Sequence, residues 1–365
     1  MYKSPPRREY ITNTPLLNTA KLFQDVEGLN VTGIMEYIDA AGDPHARMKG
    51  DGLSDEGVSF LCAFSFYFAK NEKDFAAVVA KLILERGLSV DTKFCEGKHL
   101  IEVAVEFQSD YLFSVLLQNK VNVKGFKDNT LLLRPVIQNY PSRVQALLEL
   151  GANPNDPTLG GKSILSFAAR NGNVDVVSIL LKHKADPNLH DASLECNPLF
   201  VSIQCGRKRI AEMLVKAGAD VNTVRSGRTP LNLAADYSRV SEMEMLIEAG
   251  ANVNHANEEL MTALHVAARS ASTEPCRVLL DRGADIDAKN KSGATPLHIA
   301  LQCNRSEVVE FLMLRGADAE QVFPEHKCTA WVYAEKHSPT MYYMMKRAVG
   351  QLERARENIN KTKSK

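Results

Sequence analysis

The chain lacks a net charge, a long apolar run, a paired-cysteine motif and a nucleotide-binding glycine motif. Each absence removes a class of function. Its 44 basic residues cancel its 44 acidic ones, so the overall balance gives no support to a basic nucleic-acid binder, and no nucleic acid is expected as a partner. The richest apolar stretch, Val58 to Ala69, is interrupted by Lys70, Asn71, Glu72, Lys73 and Asp74, well short of the roughly 20 residues that a membrane-spanning helix needs. Seven cysteines (Cys62, Cys95, Cys196, Cys205, Cys276, Cys303, Cys328) form no Cys-x-x-Cys pair and no regular spacing. An odd count in a chain this large favours reduced thiols and a cytoplasmic or nuclear compartment. MYKSPPRREY, at the start, carries basic residues with no apolar stretch behind them, so it does not read as a secretory signal.

No Gly-x-Gly-x-x-Gly follows a strand and no Walker phrase occurs. The lone Gly160-Gly161-Lys162 reads as turn chemistry. His183 and His190 have no cysteine or carboxylate at metal-ligand spacing. The expectation is therefore a non-enzymatic protein with no catalytic residues, no metal and no cofactor. What the chain does have is apolar material: 45% of its 365 residues are hydrophobic and 24% are charged. That composition folds, either as several domains or as one elongated array.

Self-similarity decides between them. GANPN (151 to 155), KADPN (184 to 188), GADVN (218 to 222), GANVN (250 to 254), GADID (283 to 287) and GADAE (316 to 320) place their alanines 33, 34, 32, 33 and 33 residues apart. The comb extends back to Val121, Leu88 and, after a longer gap, Gly42. A second phrase precedes the strong marks: SILSFAA at 163, NPLFVSI at 197, TPLNLAA at 229, TALHVAA at 262 and TPLHIAL at 295. A fixed period of this length signals a solenoid of supersecondary units, each too small to bury its own apolar faces.

The residues of one unit have physical roles. Thr295 is placed to cap a first helix, and Pro296 occupies its first turn, where a missing N–H costs nothing. Leu297 and Ile299 supply a buried face, and Ala300 permits close approach of a neighbour. Glu307, Val308, Val309, Phe311 and Leu312 carry the apolar stripe of a second helix, which Gly316 ends in a left-handed conformation. Where Ala41, Lys120 and Lys184 replace that glycine, a forced left-handed residue costs about 1–2 kcal/mol. Pro135 falls inside a first helix and predicts a short or kinked one.

The two coupled phrases resemble the ankyrin-repeat family over nearly the whole chain. The resemblance implies an all-α solenoid of about nine to ten stacked helix-turn-helix units with projecting β-hairpin fingers. The expected layout runs from a disordered tail (1–14) through a degenerate first repeat (15–46), an inserted loop (47–56) and two divergent repeats (57–124). It continues with six repeats (125–320), a capping repeat (321–348) and a basic tail, helical or disordered (349–365). The unit containing Phe60, Phe64, Phe66 and Phe68 is longer than its neighbours. His265 and His298, in the fourth position of their phrases, are expected to bond backbone between units.

Function in this family is binding through a concave surface of fingers and first-helix ends. Carried over by register, the finger positions include Leu159, Lys162, Ser193, Cys196, Arg225, Ser226, Arg228, Glu258, Glu259, Met261, Lys291, Ser292 and Ala294. The helix-end positions are Arg170, Asn171, Gln204, Cys205, Asp236, Tyr237, Arg269, Ser270, Gln302 and Cys303. From these, Lys162, Arg170, Arg225, Arg228, Tyr237, Glu259, Met261, Arg269, Lys291 and Gln302 are the candidate partner-binding residues, because aromatic, arginine and methionine side chains concentrate interface energy. The set leans positive, so the expected partner is an acidic or phosphorylated protein or peptide, and the chain is expected to be monomeric. The reading is a binding or scaffold protein; the alternative is a substrate-recognition adaptor of a ubiquitin ligase, for which no docking motif is legible. Charge along the chain is segregated: residues 1–10 carry +2 and residues 346–365 carry +5, leaving −7 on the array between them.

Overall fold

The structure, a computed structural model, describes residues 8–11, 47–50, 58–59, 72–91, 98–106, 108–124, 126, 130–158, 161–190, 197–323 and 325–363. The expected degenerate first repeat, the phenylalanine-rich helix, Ala41, Leu159, Ser193 and Cys196 lie outside the described residues. The chain divides into two compact units, Met1–Leu159 and Gly160–Lys365, and among the described residues both are mostly helical.

The first unit holds a three-stranded antiparallel sheet, β1 (Arg8–Ile11), β2 (Arg47–Gly50) and β3 (Val58–Ser59), in that spatial order. The first two strands fall in segments read from sequence as tail and insert, and the third at the start of the segment read as divergent repeats. There follow α1 (Glu72–Arg86) and the antiparallel pairs α2 (Leu100–Glu106) with α3 (Asp110–Gln118), and α4 (Thr130–Ile137) with α5 (Pro141–Glu149). Pro135 does not shorten α4, whose eight residues equal those of the matching helix Ile164–Asn171. Past the proline the free carbonyls are taken up at once: Gln138 N–H donates to Arg134 O at 2.9 Å and Tyr140 N–H to Pro135 O at 2.8 Å.

The second unit contains six helix pairs. They are α6 (Ile164–Asn171) with α7 (Val174–Lys182), α8 (Pro198–Gln204) with α9 (Lys208–Lys216), α10 (Pro230–Asp236) with α11 (Val240–Glu248), and α12 (Ala263–Ala267) with α13 (Glu274–Asp281). The last two are α14 (Pro296–Gln302) with α15 (Ser306–Leu314), and α16 (Ala330–His337) with α17 (Pro339–Lys363), the latter preceded by a hairpin of β4 (Val322–Phe323) and β5 (Cys328–Thr329). Within this unit successive first helices pack on one another, so one with a neighbour on either side is buried nearly all round: every residue from Pro198 to Ile203 and from Pro230 to Ala235 is buried. Second helices bury one stripe, such as Val308, Val309, Leu312 and Met313 in α15. Ala234, Ala267, Ala300 and Ala334, all completely buried, hold one position of successive first helices. A larger side chain there would overpack the stack by about 1–3 kcal/mol.

Helix starts follow the predicted chemistry. Ser163, Asn197, Thr229, Thr295 and Thr329 each accept a backbone N–H three residues on, at 2.9–3.5 Å, worth about 1 kcal/mol apiece. Second helices end left-handed, at Gly151, Gly218, Gly250, Gly283 and Gly316 with φ between 85° and 98°. Lys120 (φ 55°) and Lys184 (φ 64°) adopt the same conformation despite their side chains.

Two devices join one repeat to the next. His265 and His298 are completely buried. Each Nδ1 accepts the N–H of the capping Thr262 or Thr295, at 3.2 and 3.0 Å, and each Nε2 faces a carbonyl of the following repeat, Ala294 O at 3.1 Å and Gln321 O at 3.3 Å. The rings are thus neutral with the proton on Nε2, and burial pushes both pKa values down. The second device is a ladder of asparagines. Asn188, Asn222 and Asn254 each accept a backbone N–H of the next repeat (Asp220, Asn252, Asp285; 2.8–2.9 Å) and donate from Nδ2 to a glycine carbonyl there (Gly218, Gly250, Gly283; 3.0–3.1 Å).

Candidate functional site

The exposed finger tips and first-helix ends of the second unit form the candidate surface. The finger at 225–228 is a two-residue hairpin: Arg225 and Arg228 exchange both backbone bonds at 2.8 Å across Ser226 (φ 45°) and Gly227 (φ 70°). Two successive positive φ values are the turn that matches strand twist. The next two fingers close on asparagine. Asn257 Oδ1 accepts from Glu259 N and Met261 N at 3.0 and 2.8 Å, and Asn290 Oδ1 accepts from Ala294 N at 2.9 Å and from the Ser292 hydroxyl at 2.8 Å. Short polar side chains that mimic a backbone turn are what this geometry requires.

The rigid fingers bring several candidates together. Arg228 Nη1 pairs with Asp236 Oδ2 at 2.9 Å, tying a finger to the end of α10, beside Tyr237, which is 44% exposed. Lys291 Nζ meets Glu259 Oε1 at 3.3 Å, and Lys291 N–H donates to Glu259 O at 2.9 Å, joining adjacent fingers. Asn290 Nδ2 approaches Met261 Sδ at 3.4 Å. Gln302, ending α14, donates to Glu325 Oε2 of the next finger at 3.1 Å. Lys162 lies 5.6 Å over the Phe167 ring, while Arg170 and Arg269 stand exposed at the ends of their helices. Two of the cations counted toward a positive surface are thus matched by carboxylates. Both pairs are solvent-exposed and worth no more than about 1 kcal/mol, so an incoming anion could displace them at little cost.

A row of arginines behind this surface went unread in the sequence. Arg207, Arg239 and Arg305 each precede a second helix and reach back to the turn of the repeat before. Arg207 Nε donates to Arg170 O at 3.4 Å and Arg305 Nε to Arg269 O at 2.8 Å. The guanidinium of Arg207 covers Gly172, and that of Arg239 covers Gly206 so closely that a Cβ there would fall 2.8 Å from it. In the first unit Arg143 does the same, donating to Gln108 O and Asp110 Oδ1, both at 2.6 Å. A cation at the start of a helix opposes that helix's dipole, but Arg143, Arg207 and Arg305 sit at the C-terminal carbonyls of another helix, where positive charge is favoured. Arg207, though exposed, is therefore a strut. The available signal was arginine recurring just before second helices at 207, 239 and 305.

Among the described residues no three histidine, cysteine or acidic side chains gather closely enough to hold a metal ion, and no described helix is long and apolar enough to cross a membrane. Cys276 is buried at the start of α13, and burial pushes its thiol up to about 12, which leaves it unreactive at neutral pH.

A helical stack with left-handed helix ends, capped first helices and finger hairpins defines an ankyrin-repeat protein. The model of the family "Ankyrin repeats (3 copies)" matches in overlapping stretches, 132–225, 165–257, 222–290 and 256–323. Together these cover more than half of the chain, which therefore belongs to the ankyrin-repeat family. Protein PhlB of Serratia liquefaciens is 37% identical over 123 residues, 33% of this chain and 54% of that protein. The nuclear factor NF-kappa-B p105 subunit of Gallus gallus is 30% identical over 147 residues, 39% of this chain and 14% of that protein. Human ankyrin repeat domain-containing protein 63 is 33% identical over 97 residues, a quarter of each. The chain thus spans about half or less of the length of these relatives. Ankyrin repeats mediate protein–protein interaction at a general level.

Proposed function

We propose that the protein is a non-enzymatic binding module that holds a partner protein or peptide on the finger and first-helix ends of its second unit, with an acidic or phosphorylated segment of the partner at the contact. One observation carries this reading. The demands of the fold are met elsewhere, by buried histidines, the asparagine ladder and the arginine struts, whereas Arg228, Tyr237 and Arg269 place their side chains at the exposed edge. Large aromatic and arginine side chains held at the rim of a rigid scaffold are suited to anchoring a partner. On the same reading, pairs α2/α3 and α16/α17, outside the matched stretch, are divergent repeats. Left-handed Gln108 and Lys120 repeat the turn register of Asn139 and Gly151 in the next pair, and Asp91 Oδ1 accepts Asn122 N–H at 2.9 Å in the manner of the asparagine ladder. Changing Arg225, Arg228 and Arg269 together to glutamate tests the charge assignment. Affinity for the partner at low salt is expected to fall by about tenfold or more, with a flatter salt dependence; unchanged affinity and salt slope refute an acidic contact.

A further inference from the structure

Among the described residues no further repeat lies over the helix pair α16/α17. Trp331 and Val332 follow the capping Thr329 at the register where Leu297 and His298 follow Thr295. Leu297 and His298 are completely buried, as are Leu264 and His265 one repeat earlier, because the next repeat lies over them. Val332 is 50% exposed. Beside it runs a groove of about 630 Å³ between α16 and α17, lined by the apolar surfaces of Trp331, Tyr342 and Val349 and by the carboxylates Glu320, Glu335 and Glu353. The single cation lining the groove, Lys346, stands 4.7 Å over the Tyr342 ring. Three carboxylates against one lysine make the lining of this groove negative, opposite in sign to the finger surface.

We propose that this groove is a second interaction surface and that its occupant is a basic amphipathic helix of another protein. The shape argues for a helix, since the face is built to receive the next layer of a helical stack, and a groove between two helices suits the apolar side of a third. Charge complementarity argues for a basic one: apolar side chains cover Trp331, Val332 and Val349 while lysine or arginine side chains settle on Glu320, Glu335 and Glu353. An acidic segment suited to the finger surface is repelled here. The two surfaces therefore take partners of opposite charge and can be occupied together.

Trp331 is the only tryptophan of the chain, so its emission reports on this face alone. The full chain is titrated with a synthetic helical peptide of lysine and leucine, and separately with its glutamate and leucine counterpart. The basic peptide is expected to give a saturable blue shift, and the acidic one none. The E320K/E335K protein, checked for an unchanged thermal unfolding curve, binds the basic peptide at least about tenfold more weakly. V332D, which alters one exposed side chain, also weakens it, whereas R228E/R269E binds as the unaltered chain does. The proposal is overturned by an equal shift with both peptides, by binding of the basic peptide without a Trp331 shift, or by E320K/E335K and V332D both binding normally. Sedimentation showing that a second copy already covers Trp331 overturns it as well.

Discussion

Arg305 donates from Nε to the backbone carbonyl of Arg269 at 2.8 Å, reaching from the start of one second helix to the turn of the repeat before it. That single contact links the scaffold to its surface: the backbone it fixes is that of a residue proposed to bind the partner. A charge-assisted bond to a carbonyl contributes about 1.5–3 kcal/mol when well formed, less with solvent exposure. Arg305→Ala is expected to lower unfolding free energy by about 1–2 kcal/mol, read from urea denaturation, and Arg305→Lys to recover little, because a compact ammonium does not reproduce the guanidinium's directed donor. Equal stability of the alanine variant and the parent would remove the strut from the account.

In the second unit an aspartate stands in a rung of the asparagine ladder. Asp287 accepts Asp318 N–H at 3.0 Å, as the asparagines do, but has no N–H to give the Gly316 carbonyl. Burial first, with Asp318 and Asp285 nearby, pushes its carboxyl pKa up. A carboxyl whose folded pKa lies above its unfolded one favours the fold when protonated, and that increment is lost as pH rises through the folded value. Asp287→Asn removes the charge and restores the donor. Stability at neutral pH is expected to rise by about 0.5–1.5 kcal/mol, with a smaller gain in acid. No gain at neutral pH contradicts the ladder.

His265 and His298 set an acid limit. Both pKa values lie below the ordinary 6.5 because burial disfavours the imidazolium. Their stabilisation is therefore complete above the unfolded value and is lost as pH falls from there through the folded values. Thermal unfolding followed by circular dichroism should show the midpoint falling below about pH 6.5. The double variant His265→Gln/His298→Gln should be less stable at neutral pH but show a shallower acid slope. An unchanged slope would mean the imidazoles do not report the interface.

Lys120 carries a side chain in a left-handed conformation, φ 55°, that glycine holds at the corresponding Gly151. Lys120→Gly is expected to stabilise the first unit by about 1 kcal/mol, the left-handed penalty less the added freedom of the unfolded chain. Hydrogen exchange at Leu116 and Val121 reads this locally, and faster exchange contradicts it.

The stack was legible in sequence because its marks are positional. The glycine-alanine comb, the capping Thr295 and the buried His265 each have one physical reason to recur, and each sits where that reason places it. Arg305 and Arg207 were not legible: an arginine at the start of a helix reads as mildly unfavourable until the carbonyls of the preceding repeat come within reach. The surface was half legible. Register located Arg228 and Lys291, but only coordinates pair them with Asp236 and Glu259, which turns a simple count of positive charge into a partly matched one. Pro135 does not shorten its helix, because a proline late in a short helix removes one bond and the turn after it restores the rest.

The most direct test of the central claim is affinity capture from cell extract with the full chain and with its R228E/Y237A/R269E variant, both showing the same thermal unfolding midpoint. The account predicts that partners retained by the parent chain are lost or strongly depleted on the variant. Recovery of the same partners in the same yield would place the binding surface elsewhere and contradict it.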